Sequence, residues 1–245
     1  MLHYKVFGEG PVVLFLHGFL ESISMWDYLP LKDFRCKKVF IDLPGHGNSK
    51  ILNNAEPSIE SMANEVILIL KKEKIKKFHI VGHSMGGYIA LSIKEKHKEC
   101  KKVILLNSNY WSDSESKKKD RDRVCKIAFK AKDYFLNEAI PNLFTDKEKY
   151  KPQIDQLVDE SKQMSPEAIA YASTAMKNRK DKSGVLNKND IVIIHGLSDT
   201  LIKNSDYDLS LINPAHFHNI TNAGHMSHIE NSGEVIEVLK LYLKD

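Results

Sequence analysis

Short apolar runs punctuate the chain at Val12–Leu16, Lys38–Asp42, Phe78–Gly82, Val103–Leu106 and Ile191–Ile194. Each is too short for a buried helix and rich in β-branched residues, so each reads as a strand covered on both faces. Tyr4–Phe7, closed by the turn Gly8-Glu9-Gly10-Pro11, predicts a further short strand, and Phe217–Ile220 a last one. Between the runs the period changes. Ile59, Met62, Val66, Ile69 and Leu70 follow Ser58 at the spacing of one helix face, as do Val235, Val238, Leu239 and Tyr242 near the end. Strands alternating with amphipathic helices predict an α/β fold, with a mostly parallel central sheet flanked by helices. In such sheets chemistry collects just beyond the C-terminal ends of the strands.

The alternation breaks between Asn109 and Asn187. That stretch is helical in period, with apolar pieces at Val124-Ile127-Ala128, Tyr134-Phe135 and Ile154-Leu157-Val158. A helix opens at Ser165-Pro166, an N-cap serine followed by a first-turn proline. The expected organisation is a core of residues 1–108 and 188–245, interrupted by a helical insertion over 109–187.

Composition narrows the class. The 245 residues are 42% hydrophobic and 28% charged with a net charge of +4, enough for one sizeable core and a well-solvated surface. The basic residues are interleaved with acids, as in Lys117-Lys118-Lys119-Asp120-Arg121-Asp122-Arg123, the pattern of a solvated helix face rather than a nucleic-acid patch. Cys36, Cys100 and Cys125 are odd in number and widely spaced, which argues against a disulfide framework and a zinc site. No signal segment opens the chain and no apolar run approaches the ~20 residues of a membrane helix. The expectation is a cytoplasmic protein without membrane or nucleic-acid partners, monomeric or homodimeric.

The strongest chemical signal is Gly82-His83-Ser84-Met85-Gly86-Gly87, placed between a buried strand and a helical segment, Tyr88–Ile93. This is the setting of the G-x-S-x-G nucleophile elbow, in which glycines on both sides make room for a strained serine. The turn lifts the Ser84 hydroxyl off the sheet and places the Met85 N–H at a helix start, where donors are unpaired.

With His17-Gly18-Phe19 after the second strand and Asp42-Leu43-Pro44-Gly45-His46-Gly47-Asn48-Ser49 after the third, the sequence resembles the α/β-hydrolase superfamily, specifically its small serine hydrolases with a helical cap. The resemblance covers the chain on both sides of the insertion. It implies that the Phe19 N–H is the second oxyanion donor beside that of Met85, and that His17 supports the loop. The family's chain order is nucleophile, acid, histidine. His195-Gly196-Leu197-Ser198-Asp199 follows a late strand and offers Asp199; Asn222-Ala223-Gly224-His225 follows the last strand and offers His225. His228 and Asp113 are the nearest competitors among the histidines and acids. His216 and His218 alternate along a strand with no third ligand in view.

The expected reaction is acyl transfer through Ser84, His225 and Asp199, without metal or organic cofactor, on a small or medium acyl ester. Tyr110, Trp111 and Phe135 are the substrate-binding candidates in the insertion, where Phe129 and Phe144 are further aromatics; these rings could equally form the insertion's own core. Lactonase, thioesterase and carbon–carbon hydrolase remain alternatives to carboxylesterase. So does a lyase similar to the menaquinone-pathway SHCHC synthase, which would need fixed cations in the pocket. That group carries arginine directly after the paired glycines, where this chain has Tyr88, and Arg121, Arg123 and Arg179 fall in charged segments. A ligand-binding receptor retaining the triad without turnover is the reading from a different class.

Overall fold

A computed structural model describes residues 1–51, 56–186 and 190–243. Seven strands form one sheet: β1 (Tyr4–Phe7), β2 (Val12–Leu16), β3 (Lys37–Ile41), β4 (Phe78–His83), β5 (Cys100–Leu106), β6 (Ile191–Gly196) and β7 (Phe217–Ile220). Their order is β1-β3-β2-β4-β5-β6-β7, with β1 antiparallel and every other pairing parallel. From β2 the chain steps outward to β3 and then returns to β4 on the other side of β2. The crevice between the ends of β2 and β4 is therefore the topological switch point, where an open sheet of this kind binds its ligand.

The strand side chains alternate between two cores. Leu14, Leu16, Ile80, Val103, Leu105, Ile191 and Ile193 face one way, under α1 (Ile59–Lys72) and α2 (Met85–Lys96). Val13, Phe15, Val81, Ile104, Leu106, Val192 and Ile194 face the other, against Trp26, Leu29 and the last helix, α7 (Ser232–Tyr242), which the short α6 (Ser227–Glu230) precedes. Burial on both faces is why these strands read as unbroken apolar runs. Ser58 caps α1 by accepting from the Ser61 N–H.

Between β5 and β6 lie α3 (Glu115–Ala139), α4 (Lys151–Ser161) and α5 (Pro166–Lys177). Ala131, at φ −155° and ψ 54°, bends α3, and Ser165 caps α5 through the Ala168 N–H with Pro166 in the first turn. These helices bury a third cluster of their own, including Leu136, Ile140, Phe144, Ile154, Leu157 and Ile169. Leu20, from the loop after β2, and Met226 join that cluster and tie it to the sheet. The upper boundary expected at residues 187 and 188 lies outside the described residues. No described helix is long and apolar enough to cross a membrane.

Candidate active site

Ser84 sits between β4 and α2 at φ 47° and ψ −113°, a conformation that side chains other than glycine rarely adopt. The strain is held from several sides. The Ser84 N–H donates to the Leu106 carbonyl at 3.0 Å, and its carbonyl accepts from the Gly87 N–H at 3.0 Å and the Ser108 hydroxyl at 2.6 Å. The Ser84 side chain does not cap α2, so its hydroxyl is left for other work. The flanking glycines are sterically required: a Cβ at Gly86 would collide with the carbonyl oxygens of Leu16 and His17. Gly86→Ala is expected to cost about 3 kcal/mol or more, since backbone atoms cannot yield as side chains do. Its urea midpoint should drop; an unchanged midpoint contradicts the close packing of the elbow on β2.

His225, in the loop after β7, places Nε2 3.0 Å from Ser84 Oγ and Nδ1 2.8 Å from Asp199 Oδ2. An ionised carboxylate only accepts, so Nδ1 carries the proton and Nε2 is left to accept from the serine hydroxyl. Asp199 is held by four donors. Oδ1 accepts from the N–H groups of Leu201 at 2.9 Å and Ile202 at 3.1 Å; Oδ2 accepts from His225 and from Asn107 Nδ2 at 3.0 Å. Burial works to raise the Asp199 pKa, but the attraction of His225 and these hydrogen bonds hold it well below the usual carboxylate range. Asn107 also donates to the Gly224 carbonyl at 2.9 Å and accepts from the Ser227 hydroxyl, so one amide ties the acid to the loop of the base.

A second carboxylate–histidine pair lies buried beneath the first. Glu21 Oε2 accepts from the Gly18 N–H at 2.6 Å and from His83 Nδ1 at 3.0 Å, while His83 Nε2 meets the His225 carbonyl at 2.9 Å. Both partners of His83 are acceptors, so both ring nitrogens must carry protons and the ring is an imidazolium. Burial alone would lower the His83 pKa and raise that of Glu21. Their mutual attraction prevails, raising His83 and holding Glu21 at about 2. Through this pair the loop after β2, the elbow and the loop of His225 are joined by charge-assisted hydrogen bonds.

That first loop is also pinned by His17, whose Nδ1 donates to the Gly18 carbonyl at 2.8 Å and whose Nε2 accepts from the Leu43 N–H at 2.9 Å. Burial pushes its pKa down, consistent with a neutral ring. Asp42 ties the two loops together by accepting from the N–H groups of Ile23, after β2, and Asn48, after β3. Among the described residues no acceptor takes the N–H of Phe19 or of Met85.

Ser84 and His225 open into a cavity of about 690 Å³. Its apolar wall includes Phe19, Trp111, Val124, Phe135, Leu143 and Ile202. Trp111 and Phe135 thus line the pocket, but Tyr110 does not. It is buried in the sheet's own core, its hydroxyl accepting from the Asp208 N–H at 3.0 Å, because the chain after β5 turns that ring toward the 3₁₀ turns beyond β6. Phe144 belongs to the insertion's core and Phe129 is exposed.

Neither the competing histidine nor the competing acid joins the relay. Among the described residues neither ring nitrogen of His228 has a hydrogen-bond partner; the ring packs 4.7 Å from that of His83 and burial pushes its pKa far down. Asp113 is buried between Arg121 Nε at 3.1 Å and Arg179 Nη1 at 2.6 Å, away from His225. Those two arginines are not part of a purely solvated face: both line the cavity, as does Lys117. His218 Nε2 pairs with the Tyr242 hydroxyl at 2.8 Å. Among the described residues no group of three or more His, Cys, Asp or Glu side chains is arranged to hold a metal ion.

Residues 11–124 match a family described as the alpha/beta hydrolase fold. Over 94 residues the chain is 36% identical to protein phosphatase methylesterase 1 of Bos taurus, covering 36% of this chain and 25% of that protein. It is 34% identical over 94 residues to pimeloyl-[acyl-carrier protein] methyl ester esterase of Aeromonas hydrophila, covering 38% of this chain and 35% of that one. The matches thus span between a quarter and about a third of these relatives' length. A thermophilic esterase from Thermogutta terrifontis, solved with malate bound, superposes with a TM-score of 0.89 at 25% identity, over 99% of this chain and 92% of that structure.

Proposed function

For a chain that has the α/β-hydrolase fold, we propose the activity of a serine hydrolase of carboxylic esters, with Ser84 as nucleophile, His225 as base and Asp199 as the acid that orients the base. The observation that carries it is the relay itself: a strained serine at a strand end, 3.0 Å from an imidazole whose other nitrogen is 2.8 Å from a buried carboxylate. The esterases among the similar proteins support the same class.

In this reading His225 Nε2 takes the Ser84 proton as Oγ attacks the ester carbonyl, and Asp199 stabilises the resulting imidazolium. The carbonyl oxygen gathers negative charge and is met by the N–H groups of Met85 and Phe19. Each such preorganised donor is worth about 3 kcal/mol of barrier. His225 then hands its proton to the departing alcohol. A water, deprotonated by the same nitrogen, attacks the acyl-serine; collapse of that second intermediate returns the proton to Ser84 and frees the acid. No step calls for a metal or organic cofactor. Residues 109–187 act as a cap whose inner face, with Trp111 and Phe135, lies along the acyl or alcohol chain.

The lyase reading gains one observation, the arginines of the cavity wall, but Tyr88 still occupies the position after the paired glycines. A panel of p-nitrophenyl esters from acetate to octanoate separates the classes. A hydrolase turns over at least one of them with saturation; a receptor is stabilised thermally by ligand and releases no nitrophenol.

A further inference from the structure

The charged side chains of the cavity are unevenly placed. Arg121, in the second turn of α3, and Arg179, just past α5, engage the carboxylate of Asp113, and Lys117, in the first turn of α3, lines the same cavity. Asp113 spends one oxygen on each arginine. Arg179 is the structural half of the arrangement. Its side chain is 5% exposed, it donates to the carbonyls of Trp111 and Met176, and its guanidinium centre lies 4.2 Å from the Tyr88 ring centroid. Arg121 is different. Asp113 engages it through Nε, and among the described residues no other carboxylate is within ion-pair reach of its guanidinium; none is within reach of Lys117 Nζ. The cavity's remaining carboxylates are committed elsewhere, Glu21 to His83 and Asp206 to the Lys203 N–H. With Glu21 balanced by His83, Asp113 and Asp206 face Lys117, Arg121 and Arg179, an excess of one positive charge in a recess whose other walls are largely apolar.

This wall is close to the nucleophile. Tyr88 stands four residues after Ser84, about one helical turn of 5.4 Å, and Arg179 stacks on its ring. Lys117, Arg121 and Arg179 line the same cavity as Ser84, so a substrate whose carbonyl is at Ser84 can extend toward them. A guanidinium held by Nε still presents its terminal N–H groups in a fork, the geometry that grips a carboxylate through two parallel hydrogen bonds. The low-dielectric apolar walls make that attraction stronger than it would be in water.

We propose that Arg121, mounted on the buried Asp113–Arg179 pair, and Lys117, on the same helix and lining the same cavity, form a subsite for a carboxylate on the substrate, so that the preferred ester is a monoester of a short dicarboxylic acid. This rests on the hydrolase reading of Ser84 for turnover, while the subsite can be tested by binding without it.

Monomethyl adipate and methyl hexanoate present the same ester on chains of equal length, one ending in carboxylate and the other in methyl. In a pH-stat assay kcat/KM for monomethyl adipate should exceed that for methyl hexanoate at least tenfold, and the ratio should shrink as NaCl rises from 0.05 to 0.5 M. Arg121→Gln should reduce the ratio about tenfold and Lys117→Gln, an exposed change that leaves Asp113 paired, about threefold. Binding gives the second reading. By calorimetry on the Ser84→Ala protein, adipate should bind at least tenfold more tightly than hexanoate, and the preference should disappear in Ser84→Ala/Arg121→Gln. Equal kcat/KM values together with equal affinities overturn the subsite while leaving the esterase intact. Adipate-selective binding without turnover of either ester keeps the subsite and overturns the esterase.

Discussion

Ser84→Ala is expected to lower kcat/KM for any ester the protein cleaves by roughly 10⁵-fold, without changing its thermal midpoint by more than a few degrees. The size follows from what is removed. Without Oγ there is no acyl-enzyme, and the imidazole has only water to activate, at a position the site was not built to hold. His225→Ala should cost a similar factor, since a serine hydroxyl at its ordinary pKa is a weak nucleophile. The double variant should be hardly worse than either single one, because the two groups act as a unit. Residual catalysis over water then measures what the Phe19 and Met85 N–H groups and the pocket supply alone. If Ser84→Ala retains activity within a hundredfold of the parent, water rather than serine attacks the carbonyl.

Glu21→Ala is expected to destabilise the fold by about 3–5 kcal/mol, more than a loop residue usually commands. The carboxylate is buried, and its removal strands the Gly18 N–H and leaves the His83 imidazolium without its counter-charge. His83 must then give up a proton, and a neutral ring can serve the His225 carbonyl only by leaving the other side unmatched. Glu21→Gln should lose roughly half as much, because an amide oxygen in the place of Oε2 can still accept from the Gly18 N–H and from His83 Nδ1, though without the counter-charge.

The pH dependence carries a definite sign. Glu21 is depressed from 4.5 to about 2, so its contribution is complete above about 4.5 and is lost as pH falls through about 2. His83 is raised above 6.5, so its contribution is complete below 6.5 and is lost as pH climbs through the raised value. The stability gap between parent and Glu21→Ala should therefore be widest between about pH 4.5 and 6.5, and chemical denaturation across that range checks it. A gap that is flat with pH would mean that the pair is not ionised in the native state.

The sheet was legible because parallel strands buried on both faces are written as uninterrupted apolar runs. Val12–Leu16 and Phe217–Ile220 end where the runs end. β5 begins at Cys100, earlier than the Val103–Leu106 run, because exposed Lys101 and partly exposed Lys102 at the strand entrance break the hydrophobic signal without breaking the ladder. Ser84 was legible from local spacing, and His225 and Asp199 from their positions after strands. What local pattern could not reveal is pairing over distance. Glu21 sits in what reads as a polar loop, and its partner is 62 residues away. Asn107 directly follows β5, where the rule about strand ends could have pointed to it, but an asparagine advertises no chemistry until Asp199 and Gly224 are seen beside it. Arg179 stands in Asn178-Arg179-Lys180-Asp181, a segment that looks fully solvated; only Asp113 and the Tyr88 ring bring it inside. Tyr110 and Trp111 are adjacent and equally apolar, so which of the two faces the cavity depends on the backbone turn after β5 and not on composition.

Labelling with a fluorophosphonate tests the nucleophile most directly, because such reagents form a stable adduct only with a hydroxyl activated by a neighbouring base. Intact-protein mass spectrometry should show one adduct per chain, and peptide mapping should place it on Ser84, with labelling lost in His225→Ala. Adduct formation at another residue, or none at Ser84 in a folded protein, contradicts the assignment of Ser84 and His225 as a working pair.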